Sequence, residues 1–274
     1  MSGRLLDNVF WLAGLLMVGV IICFLITPII VTTIMAFDAR AYLGPLPPPA
    51  LSFRWFAQFF SDDYFLRGLT TSIQLAVISV AVSVSIGIST AIAVDRVSFA
   101  GKDALISLFL SPLLVPPVVI GFALLLFLSH LGLVNGLARL MCGHIIITAP
   151  YTIRATLAGL SGIDRSLTEA ALILGATERR AFWDVTFPLA RTSIVSGAIF
   201  AFAVSLDDVA VSIMLTDANT YSLPVALISS MRANFDLSIA AASVMLMLVT
   251  LTLILVLDRF VGFNRVIGQG VFRS

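Results

Sequence analysis

The segment Leu160 to Arg191, LSGIDRSLTEAALILGATERRAFWDVTFPLAR, decides how this chain is interpreted, because it is its least apolar stretch of about thirty residues. It lies between two long apolar runs. The residues Ser166-Leu167-Thr168-Glu169 have the pattern of a capping box, in which serine and glutamate side chains satisfy backbone donors at a helix start. The pattern predicts a helix that begins at Leu167 and ends at Gly175, since glycine adopts the left-handed conformation common after a helix C-terminus.

The second half of this segment predicts another short helix and an exposed aromatic pair. Thr177 is the expected N-cap, and Pro188 is expected to stop the helix shortly after Val185. Phe182 and Trp183 would then stand beside charged residues. Exposed apolar surface of this kind marks an interaction site. We therefore expect a projection that binds a partner; the alternative is a solvated connecting loop with an incidental capping box.

The composition indicates a membrane protein with no large soluble domain. Of 274 residues, 59% are hydrophobic and 11% charged, and the mean hydropathy is +1.09, whereas soluble domains carry about 25% charged residues. A bilayer-spanning helix needs about 20 apolar residues, so the length accommodates about six spans. We expect one transmembrane domain over residues 1–274, with a cytoplasmic loop at about 160–191. A net charge of +1 gives no basic face for nucleic acid.

Uncharged runs place the six spans along the chain. They are Val9 to Phe37, the run between Arg67 and Asp95, Ala104 to Leu128, Leu137 to Ala158, Ser193 to Leu215, and Leu237 to Leu257. Pro112 and the pair Pro116–Pro117 are expected to kink the third span. With both termini in the cytoplasm, eleven of the 16 Lys and Arg residues fall on the cytoplasmic side, which agrees with the positive-inside rule.

Three further patterns predict how these spans pack and where they meet the membrane surface. Small residues spaced by four in the second and fifth spans predict close helix contacts. These residues are Ser79, Ser83, Gly87 and Ala91 in the second span, and Ser193, Gly197 and Ala201 in the fifth. Phe53, Phe56 and Phe60 share one face of a predicted short helix after the first span. We expect an aromatic interfacial anchor there; a substrate-gating role is the alternative.

Two adjacent acids, Asp207 and Asp208, fall inside the predicted fifth span. Charged side chains in a membrane are costly and usually face a cavity or a partner. Three interpretations are open: a cation-contacting site on a transport pathway, a structural or helix-capping role at a break in the span, and a metal cluster. The metal cluster is disfavoured because no other span adds acids. Neither His130 nor His144 has a second metal-ligating residue at the spacing that a metal site requires, and we assign them no catalytic role.

The loop resembles the EAA loop of binding-protein-dependent ABC importer permeases of the type I (MetI-like) fold. The matching residues are Glu169, Ala170, Ala171, Gly175, Phe182, Val185 and Pro188. The resemblance implies an all-α permease of six transmembrane helices whose loop docks on an ATP-hydrolysing subunit, with these residues as the coupling site. Many members have a basic residue directly after the EAA triplet, where this chain has Leu172.

A second stretch, SLDDVAVSIMLTD from Ser205 to Asp217, is followed by Leu223-Pro224 and resembles the fifth-span region of spermidine/putrescine-type permeases. This resemblance implies uptake of a polyamine-like organic cation delivered by a periplasmic binding protein. It implies that Asp207, Asp208 and Ser212 contribute to the substrate pathway. Negative charge in a low-dielectric channel attracts a cationic amine.

The chain has no ATP-binding loop of its own, since Gly101-Lys102 is followed by Asp103 rather than Ser or Thr. We therefore expect a non-enzymatic subunit with no cofactor, metal or catalytic residue. ATP and Mg²⁺ would be held by a dimer of ATP-binding subunits. The other expected partners are a related but different permease chain, the periplasmic binding protein and lipid, in a bacterial inner membrane. The alternatives are an ABC permease for another small solute and an ion-coupled secondary transporter, which would predict inverted repeats.

Overall fold

The computed structural model describes residues 2–97, 99–233 and 236–261, and this part of the chain is almost entirely helical. The α-helices are α1 (Ser2–Ala36), α2 (Arg54–Ser61), α3 (Asp63–Arg96), α4 (Lys102–Leu110), α5 (Pro117–His130), α6 (Gly136–Ser161), α7 (Arg165–Ile173), α8 (Glu178–Ala181), α9 (Phe187–Asp207), α10 (Ser212–Leu215), α11 (Leu223–Ala233) and α12 (Ser238–Val261). Within the described ranges, the β-type pairing is an isolated bridge between Asp38 and Leu51. The predicted all-α fold class is confirmed.

Four helical stretches among the described residues are long and apolar enough to cross a bilayer. They are Phe10–Ala36, Asp63–Arg96, Glu178–Asp207 and Ser238–Val256. The helix α6 coincides with the predicted fourth span, but it is more polar because it carries two arginines, one histidine and three threonines. The count of six spans and the cytoplasmic placement of both termini stay predictions. Arg265 and Arg273, which support that orientation, lie outside the described residues.

The predicted third span is broken at its prolines. The first half, α4 with a 3₁₀ turn at Ser111–Leu113, meets α5 at an angle of 103°. Pro117 is the first residue of α5, where a missing backbone N–H leaves no hydrogen bond unmade. The sequence predicted a kink here, and the observed bend is sharp enough for the pair to form either a broken span or a re-entrant loop.

The described residues up to Asp63 and those between Ser229 and Met247 form one compact unit. After α1, the Arg40 guanidinium bonds both oxygens of Asp38, at 3.0 and 2.9 Å from its Nε, and holds the pKa of that carboxyl below its ordinary value. The indole Nε1 of Trp55 donates to the Asp38 carbonyl at 2.7 Å, which fixes the start of α2 against this turn. The buried face of α2 consists of Trp55 and Phe59.

The predicted aromatic face of α2 divides into two environments. The side chains of Phe53 and Phe60 are 72% and 54% exposed, as an interfacial anchor requires. Phe56 is half-buried, and its ring centroid lies 4.9 Å from that of Phe37. Phe37, in the preceding turn, covers part of Phe56, and the role of the three rings as an interfacial anchor stays a prediction.

Residues 64–228 and the described residues from 248 onward form the second unit, which contains the loop and the acid pair. The small residues of α3 meet a row of threonines on α6: the hydroxyls of Ser83 and Thr148 lie 2.7 Å apart, and Thr152 donates to the Ser83 carbonyl at 2.6 Å. A Cβ added at Gly87 would lie 2.6 Å from Thr152 Oγ1. The predicted close approach on this stripe is confirmed.

The second stripe packs α9 against α6 as well, and Thr152 of α6 contacts both α3 and α9. A Cβ added at Gly197 would lie 2.8 Å from the Cβ of Ala155, and one added at Gly159 would lie 2.6 Å from the Cβ of Ser193. Neither position has room for a larger side chain, because the two helices lie at short distance from each other. The prediction of tight packing along the fifth span is confirmed, and α6 lies at the centre of this unit.

Candidate functional site

The first helix of the loop, α7, is capped by Asp164. A carboxylate oxygen of Asp164 accepts the backbone N–H of Ser166 at 2.9 Å, and α7 begins at Arg165. This hydrogen bond, together with one from the Ser166 side chain, lowers the pKa of Asp164. The predicted capping box with a start at Leu167 is therefore wrong. Aspartate and serine are both strong N-caps, and the aspartate comes two residues earlier in the chain.

The C-terminus of α7 has the predicted glycine turn. Gly175 has a φ of +89°, in the left-handed region. The N–H of Ala176 donates to the Ala171 carbonyl at 3.0 Å, and the N–H of Gly175 donates to the Leu172 carbonyl at 2.9 Å. These two bonds define a Schellman motif, which satisfies the last carbonyls of the helix. Gly175 is thus required by the turn, and the predicted helix end is confirmed.

Thr177 caps the second helix as predicted, with its hydroxyl accepting the N–H of Arg180 at 3.3 Å. The predicted stop at Pro188 is wrong. The chain continues from α8 through a π-helical turn at Phe182–Thr186 directly into α9, which extends to Asp207. Pro188 is the second residue of α9, and the wider π turn before it accommodates a residue that cannot donate a backbone hydrogen bond.

One contact holds the loop against the end of α3, and a second contact joins two parts of the loop to each other. The Arg165 guanidinium lies 3.6 Å from the Asp95 carboxylate at the end of α3, and it also donates to the Asp95 carbonyl at 3.1 Å. The hydroxyls of Thr168 and Thr186 lie 3.5 Å apart, which joins α7 to the π turn. The residues of both contacts line a cavity of about 560 Å³, and Glu169 is among its other lining residues.

The outer surface of the loop is apolar. Ile173 and Leu174 are 86% and 87% exposed, and Trp183 is 53% exposed. Of the predicted coupling residues, four are exposed and three are half-buried. Glu169, Ala170, Gly175 and Pro188 are the exposed ones, and Ala171, Phe182 and Val185 are the half-buried ones.

The ring of Phe182 packs edge-on against Trp183, with ring centroids 5.2 Å apart. Phe182 is therefore partly inside the loop rather than fully available to a partner. The sequence analysis missed Ile173 and Leu174, although their place at the end of an amphipathic helix, just before the glycine turn, could have indicated them.

The acid pair lies where the helix α9 ends, at a non-helical break between α9 and α10. The predicted fifth span of Ser193 to Leu215 is interrupted because α9 ends at Asp207, and Asp208 has an extended backbone with φ −66° and ψ 125°. One carboxylate oxygen of Asp208 accepts from the backbone N–H of Ser212 at 2.8 Å and from its hydroxyl at 2.9 Å. Asp208 therefore caps the short helix α10, in the geometry of the helix-capping interpretation.

Asp207 has different surroundings. Its side chain is exposed, and within the described ranges no hydrogen bond or ion pair engages its carboxylate. The two acids thus separate into one that binds the backbone and one that is available to a ligand. The described residues contain no group of three or more His, Cys, Asp or Glu side chains that could hold a metal. The assignment of Asp207, Asp208 and Ser212 to the substrate pathway stays a prediction.

His144 is a residue that the sequence analysis passed over. Its ring is fully buried in α6, with Nδ1 2.7 Å from Ser205 Oγ and Nε2 3.0 Å from Ser212 Oγ. These partners are 61 and 68 positions away in the chain, so no local pattern indicates them. The one available sequence pattern was the spacing of four from His144 to the three threonines of α6, which places all of them on one polar helix face.

A helical membrane protein that exposes a capped helix and apolar side chains on a polar loop has the features of a transporter subunit that works with a partner. The sequence matches the family described as "Binding-protein-dependent transport system inner membrane component" over residues 83–264. The chain belongs to this family. It is accordingly a multi-pass inner-membrane permease of the ABC importer class, not an enzyme, and ATP hydrolysis belongs to a partner subunit.

Individual relatives fit this family. The spermidine/putrescine transport system permease protein PotC of Haemophilus influenzae is 29% identical over 213 residues, which cover 78% of this chain and 82% of the relative. PotC of Escherichia coli strain K12 is 27% identical over 241 residues, which cover 88% of each chain. A bacterial ABC transporter involved in the import of the acidic polysaccharide alginate has a similar fold, with a TM-score of 0.72 at 21% identity, covering 94% of this chain and 98% of that chain.

Proposed function

We propose that this chain is a permease subunit that imports a polyamine-like organic cation, of the spermidine and putrescine class, driven by ATP hydrolysis in partner subunits. The observation that carries the coupling half of the proposal is the exposure of apolar side chains on the loop: Ile173, Leu174 and Trp183 are exposed, and so is the charged Glu169. An exposed apolar surface with a charged rim is typical of a protein–protein contact. We assign it as the docking surface for an ATP-binding subunit.

The continuous helix from Glu178 to Asp207 supports a mechanical role for this surface. A force applied at Trp183 is transmitted along one uninterrupted helix, whose far end carries the acid pair. ATP-driven closure of two ATP-binding subunits would move the loop and thereby tilt α9. Alternating access then exposes the pathway to one side of the membrane at a time.

The substrate class rests on Asp207 and on the relatives. The Asp207 carboxylate is exposed at the end of a long apolar helix, and no described residue forms a hydrogen bond or ion pair with it. Such a carboxylate attracts a cationic group more strongly in a low-dielectric pathway than in water. The two PotC proteins are spermidine/putrescine permeases by name. Asp208 and Ser212 would not contact the amine. They would shape the pathway by fixing the geometry of the break between α9 and α10.

The complete transporter in this proposal has several parts. Residues 1–274 act as one six-span domain with both termini in the cytoplasm, surrounded by lipid. A related but different permease chain completes the pathway, and a periplasmic binding protein delivers the substrate. ATP and Mg²⁺ are held by the dimer of ATP-binding subunits, and this chain needs no cofactor.

The test is uptake of labelled spermidine and putrescine into proteoliposomes that contain the whole complex, its binding protein and internal ATP. Wild-type protein should accumulate the amines only with ATP present. Glu169→Lys should abolish uptake while the complex still inserts, because the charge at the rim of the docking surface is reversed. Uptake of another solute but not of amines would refute the substrate class alone, and wild-type rates in Glu169→Lys would refute the coupling role.

Gly175 and Gly162 provide a matched pair for the same assay. Gly175 has a φ of +89°, so Gly175→Ala forces a side chain into the left-handed region at a cost of about 1 kcal/mol. Gly162, at the C-terminal end of α6, has a φ of −85° and an added Cβ would meet its nearest atoms at ordinary distance. We expect Gly175→Ala to slow uptake severalfold and Gly162→Ala to leave it unchanged. Equal rates in both variants would contradict the role of the turn.

A further inference from the structure

The buried ring of His144 connects the two sides of the break after α9. Ser205 is in the last turns of α9, and Ser212 begins α10 after the non-helical residues 208–211. Nδ1 of His144 is 2.7 Å from Ser205 Oγ, and Nε2 is 3.0 Å from Ser212 Oγ. The imidazole therefore bridges a gap that no backbone helix hydrogen bond crosses.

Counting hydrogens gives each bond in this network a direction. The hydroxyl of Ser212 donates to the Asp208 carboxylate, which can only accept when ionised. Because Ser212 has a single hydroxyl hydrogen, its oxygen must accept from Nε2–H of His144. In a neutral imidazole the other nitrogen, Nδ1, carries no hydrogen and accepts from the Ser205 hydroxyl. The hydrogen bonds of the network therefore run in one direction: Ser205 donates to His144, His144 donates to Ser212, and Ser212 donates to Asp208.

The surroundings make this network costly to disrupt. Leu206, Val211 and Leu215 are buried beside it, and the hydroxyls of Ser205 and Ser212 are themselves at most 2% exposed. In such an apolar environment an unpaired hydroxyl or carboxylate loses more free energy than it would in water. Loss of the ring would leave Ser205 without this partner and would loosen the cap that Asp208 and Ser212 form.

We propose that His144 is a positioning residue for transport: it fixes the geometry of the break after α9 and thereby the direction in which Asp207 is presented to the substrate. His144 itself does not touch the substrate, since it is fully buried. This inference deepens the proposed function and rests on it for the substrate role of Asp207 and for the choice of amine in the uptake assay.

The first test compares KM and maximal rate of spermidine uptake in proteoliposomes for three substitutions of His144. In Gln the side-chain amide nitrogen can take the place of Nε2 and donate to Ser212, whereas the shorter Asn reaches only the position of Nδ1. His144→Ala removes both hydrogen bonds, and we expect it to raise KM by at least about two- to tenfold, the change that corresponds to one lost hydrogen bond. His144→Gln should restore KM more fully than His144→Asn.

Thr156→Val is the matched control on the same helix. Thr156 is 2% exposed, and its hydroxyl bonds only the Thr152 carbonyl one turn away, at 2.7 Å. This variant should keep the wild-type KM. If His144→Ala and Thr156→Val have the same KM, or if His144 variants lose maximal rate without a change in KM, His144 has a structural role only and the proposal is overturned.

Hydrogen–deuterium exchange of the purified wild-type complex and its variants gives a readout that does not depend on the transported solute. Peptides that cover residues 205–216 should exchange faster in His144→Ala than in wild type, and His144→Gln should restore the protection. If wild-type protein takes up no amine but this pattern holds, the substrate class fails, and the role of His144 in fixing the break after α9 stands. Unchanged exchange in His144→Ala would overturn the proposal.

Discussion

Asp207 and Asp208 are neighbours in the sequence, but only one of them has a structural task in the described part of the chain. The Asp208 carboxylate accepts two hydrogen bonds from Ser212, while the Asp207 carboxylate is exposed. A helix with both acids inside it would have pointed them about 100° apart. Because of the break at Asp208, the two acids have different environments: the Asp208 carboxylate binds Ser212 of the next helix, and the Asp207 carboxylate is exposed.

Substitution by asparagine should therefore affect the two positions differently. Asp207→Asn removes the charge that attracts the cation, so we expect a higher KM for spermidine uptake and an unchanged melting temperature. Asp208→Asn replaces a charged acceptor at the cap by a neutral amide, which weakens these hydrogen bonds, so the melting temperature should fall along with the maximal rate. Uptake kinetics and thermal unfolding of the same preparations measure both effects. The reverse assignment of the two effects would contradict the division of roles.

At the scale of the helix, the loop is a short capped helix followed by a long continuous one. The caps at Gly175 and Thr177 could be predicted because they depend on residues that are adjacent in sequence. The continuation of the helix through Pro188 could not be predicted from the sequence. It depends on a π turn whose Thr186 contacts Thr168, 18 positions earlier in the chain. For the same reason the network of His144, whose partners are far away in the chain, had no sequence signature.

The start of α7 gives a prediction that separates the observed cap from the one expected from sequence. Asp164→Ala should increase hydrogen exchange in peptides that cover residues 165–173, whereas Ser166→Ala should have a smaller effect, because the Ser166 N–H that Asp164 accepts is retained. Since the folded pKa of Asp164 is lowered, its contribution is complete above its ordinary pKa and is lost as the pH falls through the folded value. A larger effect of Ser166→Ala would support the capping box instead.

At the scale of the whole molecule, the fold class and the close helix contacts could be predicted, since composition and residue spacing determine them. The stripes of small residues on α3 and α9 both meet α6 at short distance. The number of spans follows less directly from the sequence. The described residues contain four long apolar helices and one bent pair, and the more polar α6 coincides with another predicted span.

The contact at Gly87 provides a test of this packing. Gly87→Val would place side-chain atoms against Thr152, and overpacking of this kind costs about 1–3 kcal/mol. Gly14→Val on α1 is the matched control, since nothing lies within 4 Å of an added Cβ there. We expect a lower melting temperature for the purified chain with Gly87→Val and little change with Gly14→Val. Equal melting temperatures would contradict the close approach of α3 and α6.

The central claim is that the exposed end of α7 docks on an ATP-hydrolysing subunit, and photo-cross-linking from Leu174 in native membranes tests it most directly. A photoreactive amino acid in place of Leu174, which is 87% exposed, should give an adduct with an ATP-binding protein. The same residue in place of Leu126, which is 57% exposed on α5, should not. Absence of that adduct at Leu174, or labelling of the Leu174→Cys thiol by a membrane-impermeant maleimide added from the periplasmic side, would contradict the claim.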